Sequence, residues 1–489
     1  MKQTRRDFLR NTGCGLTMAA FAAQSNYFGL LNTLAQKADV QPGAAPPSDY
    51  RALVCIFLMG GNDGNNTIVP NHNDASVSGY AAYSAGRAAQ GLALSQASLL
   101  PITVPRIGNL TYGLHPGFGT GGTNPGLHPL WAAGKMAAIT NVGTLVQPLT
   151  RQQYINRSAP IPMNLFSHTD QSNQQENARA DMVVLSGWGG RMSDRMTLPT
   201  NPTGLIPTLS TLVGTRLFTV GETSQPMSLG PAPAPLNTIL SLTGYPNTPA
   251  ANARLDALTG SLDLDQAHDI IRPANEVQRE AIRISRSLNT GTEVTVAFPN
   301  TDLGNQLKQI ARLIKARTGT QVNRQIFFCS LGGFDTHSGE ITEQANLFSQ
   351  FSQASRAFYD EMTAQGISDK VTQFTLSDFS RTFAPTGIGS NVGSDHGWAS
   401  HAFVIGDSVI GGDFYGINTS NGTPFQTLVS NGPDDADTSN PRGRWIPTTS
   451  VEQYAATLAS WFGLPEADMG YVFPNISNFQ TRNLGFMQP

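Results

Sequence analysis

Charge is scarce in this chain. Lys, Arg, Asp and Glu together make up 13% of 489 residues, and the formal net charge is −3. No basic stripe alternates with aromatics, so the electrostatic footprint of a nucleic-acid partner is absent. Cysteine is rarer still. There are three, and Cys14 lies close to the N-terminus. Cys55 and Cys329 each sit inside an apolar run and read as two buried thiols on different strands, although an oxidising compartment would permit a disulfide. No apolar run is long enough for a stable membrane span, because the first one breaks at Gln24, Ser25 and Asn26. No repeat of fixed period and no heptad array are present.

Glycine (49) and proline (31) are plentiful, which predicts long, well-punctuated loops on a globular scaffold of ample length. The N-terminal stretch reads TRRDFLRNTGCGLTMAAFAA. Arg5-Arg6 is followed by Phe8-Leu9 and a short apolar region. This predicts a twin-arginine export signal over residues 1–35, hence an encounter with the twin-arginine translocase during export and a periplasmic or secreted destination. Cleavage would follow Ala20-Phe21-Ala22 or Thr33-Leu34-Ala35. The segment carries +3, so the remainder carries −6. A Pro/Ala linker is expected over 36–49, then one domain over 50–489.

Five apolar runs read as strands: Ala52 to Met59, 135–146, 323–337, 369–378 and 401–407. Helical spacing appears between them and after them. Leu303, Leu307, Ile310, Leu313 and Ile314 recur over 301–317, and further helices are expected at 345–366 and 449–464. Strand–helix alternation predicts an α/β fold around a mostly parallel sheet. The Pro/Thr/Asn-rich stretch from about 195 to 300 reads as an insertion or cap.

Acids and histidines gather where strands end. Asp63 follows the first strand, Asp335 and His337 the third, and Asp378 the fourth. Asp395, His396 and His401 come just before or at the start of the fifth. In open α/β sheets, ligands bind at the carboxyl ends of strands. Asp and His together form the ligand set of divalent ions such as Zn, Mn, Mg or Ca. The expected ligands are Asp63, Asp335, His337, Asp378 and His396, for one or two ions. Asp395, His401 and Asn62 are expected behind them or against substrate.

The stretches ALVCIFLMGGNDGNNTIVP, FSHTDQ, SGWGGR, GGFDTH, LSDFSRTFAPTG and GSDHGWASHAFVIGDSVIGGDFYG resemble the bacterial exported proteins grouped as domain of unknown function 1501. That family is grouped with the alkaline phosphatase and sulfatase superfamily. The resemblance implies a three-layer α/β/α sandwich. It also implies a metal-binding Asp after the first strand, matched by Asp63, and an Asp/His pair, matched by Asp335 and His337. The superfamily's Ser-Asp-His reads here as Ser377-Asp378-Phe379, so one nitrogen ligand is missing. Its last histidine is matched by His396.

The superfamily places a nucleophile at a helix N-terminus beside the metals. Ser167, His168 and Thr169 precede a polar helical pattern and are the candidates, with a water as the alternative and His168 as ligand or acid/base. No Cys-x-Pro-x-Arg sequence occurs, which disfavours a formylglycine sulfatase. Arg381 is a candidate for holding an anionic ester, and Arg191 a weaker one. The expected function is an exported metal-dependent hydrolase of phosphate or sulfate esters on a small molecule or polysaccharide. The alternative is a non-catalytic exported binding or envelope-assembly protein that keeps the fold and an ion.

Overall fold

The computed structural model describes residues 49–236, 248–262 and 293–489, with Asn275, Arg279 and Leu288 besides. The expected signal segment, all of the linker but Asp49, and much of the expected cap lie outside the described residues.

In chain order the strands are β1 (Arg51–Met59), β2 (Ile68–Pro70), β3 (Leu100–Val104), β4 (Leu110–Leu114), β5 (Met136–Gly143), β6 (Leu209–Thr211), β7 (Met227–Ser228), β8 (Arg324–Gly332), β9 (Val371–Ser377), β10 (Ser400–Ile405), β11 (Phe414–Tyr415) and β12 (Thr449–Ser450). The helices that bear on the site are α1 (Tyr80–Arg87), α2 (His168–Asn177), α3 (Trp188–Thr200), α4 (Asp302–Lys315), α5 (Glu340–Ala364) and α6 (Val451–Phe462). The main sheet runs β11-β5-β10-β9-β1-β8-β6-β7, with β12 also on β5. A small second sheet runs β2-β4-β3. The chain is therefore a mixed α/β protein with a mostly parallel central sheet.

β1 lies at the centre, between β8 and β9, and is parallel to both. Its apolar run has no polar face because both faces are covered. Ala52, Val54, Ile56 and Leu58 point into one core, and Leu53, Cys55 and Phe57 into another. The first core is filled by Leu303, Leu307 and Ile310 of α4 and by Phe348, Phe351 and Phe358 of α5. The second is filled by Trp188, Met192 and Met196 of α3 and by Tyr454, Leu458 and Phe462 of α6. Each such side chain contributes about 1.5–3 kcal/mol when fully buried. Local signals bound these helices. The Thr301 hydroxyl caps α4 by accepting from Gly304 N, and α6 opens with a Ser450/Gln453 capping box and stops at Gly463, φ +106°.

One strand breaks the parallel rule. β10 is antiparallel to both β9 and β5. Its N-terminal end therefore lies at the same edge as the C-terminal ends of β1, β8 and β9. Residues preceding β10 thus join residues following the other three. The stretch read as a cap also departs from expectation. It begins inside α3 and supplies β6 and β7, which extend the sheet in parallel beyond β8. Cys55 and Cys329 are free and buried. Among the described residues, no helix is long and apolar enough to cross a membrane.

Candidate functional site: a histidine–carboxylate cluster

At that edge, three imidazoles and one carboxylate meet. His168 Nε2 lies 3.1 Å from His396 Nε2, and His337 Nε2 lies 3.1 Å from the same atom. Asp335 Oδ1 stands 3.0 Å from His337 Nε2 and 3.4 Å from the Nε2 atoms of His168 and His396. His168, Asp335 and His396 form the compact trio able to share one ion.

Each imidazole is held from behind. Asp378 Oδ2 lies 2.8 Å from His168 Nδ1, and its Oδ1 accepts from Gly60 N at 3.1 Å. The Phe166 carbonyl lies 2.8 Å from His396 Nδ1. Asp395 Oδ1 lies 3.3 Å from His337 Nδ1, and its Oδ2 is held by Arg442 at 2.9 Å. A carbonyl accepts only, so His396 donates from Nδ1 and leaves its Nε2 as a lone pair. The Asp378 carboxylate oxygen, 2.8 Å away, can accept from Nδ1 of His168 in the same way. Phe166 adopts φ +69°, a left-handed conformation rare for a bulky residue, and its carbonyl is the one that His396 uses. Burial pushes the His396 imidazole below its ordinary value, against the pull of that carbonyl.

Asp335 is itself clamped. Arg381 Nη1 donates to Asp335 Oδ1 at 2.6 Å and to the Gly60 carbonyl at 3.3 Å. Burial opposes ionisation of Asp335, but the Arg381 hydrogen bond and charge outweigh it, and the carboxyl sits below its usual range. Gly60 makes this approach feasible. It adopts φ +113°, and a Cβ there would fall 2.4 Å from Asp335 N. Arg381 also reaches Ser394, whose hydroxyl binds Glu340.

Beneath the cluster lies a buried ion network. Arg87 Nη2 donates to Asp63 Oδ2 at 2.5 Å and stands 3.6 Å from Glu340 Oε1. The other Asp63 oxygen accepts from Asn65 N at 3.1 Å and Asn65 Nδ2 at 3.0 Å. Burial, with the Asp63 charge beside it, pushes the Glu340 carboxyl well above its ordinary range.

The expected residues thus divide. The structure brings Asp335, His337 and His396 together with His168. Asp378 stands behind His168, and Asp395 behind His337. Asp63 does not reach the cluster, because Arg87 and Asn65 occupy its carboxylate. His401 is buried elsewhere, with Nδ1 accepting from Asn141 N at 3.3 Å and its ring stacked on Phe425. The Asn62 side chain accepts from Thr67 at 3.2 Å. Arg191 is consumed by the carbonyls of Val472, Ser186 and Asn177. The Ser167 hydroxyl caps α2 and donates to Asp170 Oδ2 at 2.6 Å. Phe379, next to Asp378, is buried, with its ring 4.8 Å from His168 and 4.7 Å from His396.

A cleft of about 640 Å³ opens beside the cluster, lined by His168, Thr169, Asp335, Asp378 and Arg216. Arg216 is the single arginine or lysine among its described lining residues. Glu176, buried on α2, holds Arg216 by Nε and Nη2. Arg216 was not among the residues that the sequence singled out, since it lies in the stretch read as a cap and belongs to no motif.

Fold and cluster together define an α/β protein with a histidine–carboxylate centre at the edge of a mostly parallel sheet. The family model described as Protein of unknown function (DUF1501) matches residues 50–428, and the chain belongs to that family. No curated protein matches it.

Proposed function

We propose that the protein is an exported, metal-dependent hydrolase of phosphate or sulfate esters, built on an alkaline-phosphatase-like three-layer α/β/α sandwich. One observation carries the metal site. The Nε2 atoms of His168 and His396 face each other at 3.1 Å and face the Asp335 carboxylate at 3.4 Å. Where Nδ1 of each imidazole donates to its rear partner, Nε2 offers a lone pair, and a cation among these groups would relieve their mutual repulsion. The spacing suits one. Nitrogen ligands at about 2.0–2.1 Å from a tetrahedral ion stand about 3.3 Å apart. Cores on both sheet faces support the sandwich.

His168, His396 and Asp335 would hold the ion, with His337 within reach. A divalent cation there supplies Lewis-acid polarisation of an ester oxygen and neutralises developing charge. Phe379 fills the space of the missing histidine, and Arg87 takes Asp63, so one ion is the better reading than two. Arg216, fixed by Glu176, orients the anionic ester in the cleft. Thr169, exposed in the first turn of α2 and lining the cleft, would be the nucleophile at a helix N-terminus. Ser167 serves as its cap.

The test is hydrolysis of p-nitrophenyl phosphate and p-nitrophenyl sulfate by the metal-loaded protein. Turnover that vanishes in Asp335→Asn supports the reading. Full metal occupancy with no turnover of either ester class favours the non-catalytic alternative, which the engagement of the Ser167 hydroxyl by Asp170 also favours.

A further inference from the structure

A second depression, of about 440 Å³, lies next to the cluster. Three arginines line it, Arg157, Arg442 and Arg444, against one carboxylate, Asp437. Arg442 and Arg444 are paired with Asp395 and Asp437, so Arg157 is the local surplus of positive charge on a chain whose net charge is −3. Asn440 adds a polar wall.

Two of these arginines are pinned from the cluster side. Arg444 Nε donates to the His396 carbonyl at 2.8 Å, and its Nη1 to Asp437 at 3.0 Å. Arg442 Nη2 reaches Asp395 Oδ2 at 2.9 Å, the carboxylate behind His337. These bonds fix the guanidinium planes and leave Nη2 of Arg444 and Nη1 of Arg442 without a bond among the described residues. Arg157 is exposed, has no carboxylate partner among the described residues, and lies over the Tyr154 ring at 5.5 Å. Planar, pre-oriented guanidinium groups suit two-point recognition of an oxyanion.

We infer that this basin is an oxyanion-binding subsite for a carboxylate or sulfate group. It extends the hydrolase reading to substrates with a second anionic group, as on an acidic saccharide. Only that extension rests on the reading; the anion site itself is independent of ion or turnover at the cluster.

The test is titration calorimetry of the mature protein, stripped of metal by chelation, with glucuronate, inorganic sulfate and glucose. Saturable binding of either oxyanion, with none of glucose, is expected. It should weaken by roughly tenfold or more in Arg157→Glu and stay unchanged in Asp335→Asn. Tighter glucuronate points to a uronic saccharide, and tighter sulfate to a sulfated one. Absence of saturable oxyanion binding, binding that survives Arg157→Glu, or equal binding of glucose overturns the inference. A lack of ester turnover alongside Arg157-dependent binding would sink only the hydrolase reading.

Discussion

His168 and His396 meet Nε2 to Nε2 at 3.1 Å, each with its Nδ1 held from behind, by Asp378 in one case and by the Phe166 carbonyl in the other. The rear contacts decide what the front atoms are. Asp378→Asn removes the charge that sets the His168 tautomer while conserving shape. Affinity for Zn or Mn should fall by about 10–100-fold, with the fold unaltered, because supporting partners of metal ligands carry effects of that size. Unchanged affinity in a chelator competition would show that Asp378 does not act through His168.

The Asp63–Arg87–Glu340 network bears on stability rather than on the proposed ion site. Arg87→Met leaves Asp63 and Glu340 together in the interior without their cation. A loss of about 3–5 kcal/mol in denaturant unfolding is expected. Asp63→Asn should also destabilise, yet leave the metal content at the wild-type level. Metal lost from a still-folded Asp63→Asn protein would return Asp63 to the ligand set.

Acid should expose His401. Burial pushes its imidazole down to about 3, from an ordinary value of 6.5. The unfolded chain takes up a proton near pH 6.5 that the folded chain refuses. The stabilising contribution is therefore complete above that pH and is lost as pH falls toward 3, by up to about 1.4 kcal/mol per unit. In His401→Gln this dependence disappears, so its stability gap to the wild type should narrow between pH 7 and pH 5. Parallel stability curves would refute the buried neutral imidazole.

The two hydroxyls at the start of α2 should separate by effect. Ser167→Ala loses a helix cap and should cost about 1 kcal/mol of stability with little change in turnover. Thr169→Val should lower kcat for ester hydrolysis while leaving stability nearly unchanged. The reverse pattern would move the nucleophile to Ser167, and full turnover in both variants would leave the attack to a water.

The sheet was legible because its strands are buried on both faces. Continuous apolar runs at 52–59 and 369–378 correspond closely to β1 and β9. The direction of β10 was not read, although a signal existed. A parallel return from β9 needs a crossover, usually helical, and no helical pattern lies between Asp378 and Ser400. That missed reversal is the reason why residues before β10 belong with residues after β1, β8 and β9. Within the site, Asp335, His337 and His396 were legible from motif and position. The fate of Asp63 was not, because Arg87, its partner 24 residues on, sits in α1 without any motif. Nor was Arg216, whose place beside the cleft depends on β6 joining the sheet edge.

The most direct test of the account is elemental analysis of the protein purified from its compartment without added metal or chelator. The account predicts about one equivalent of Zn, Mn or another divalent ion per chain, lost in His396→Ala and in Asp335→Asn and retained in Asp63→Asn. A folded wild-type protein that carries no divalent ion, and takes none up on dialysis against Zn or Mn, would contradict it.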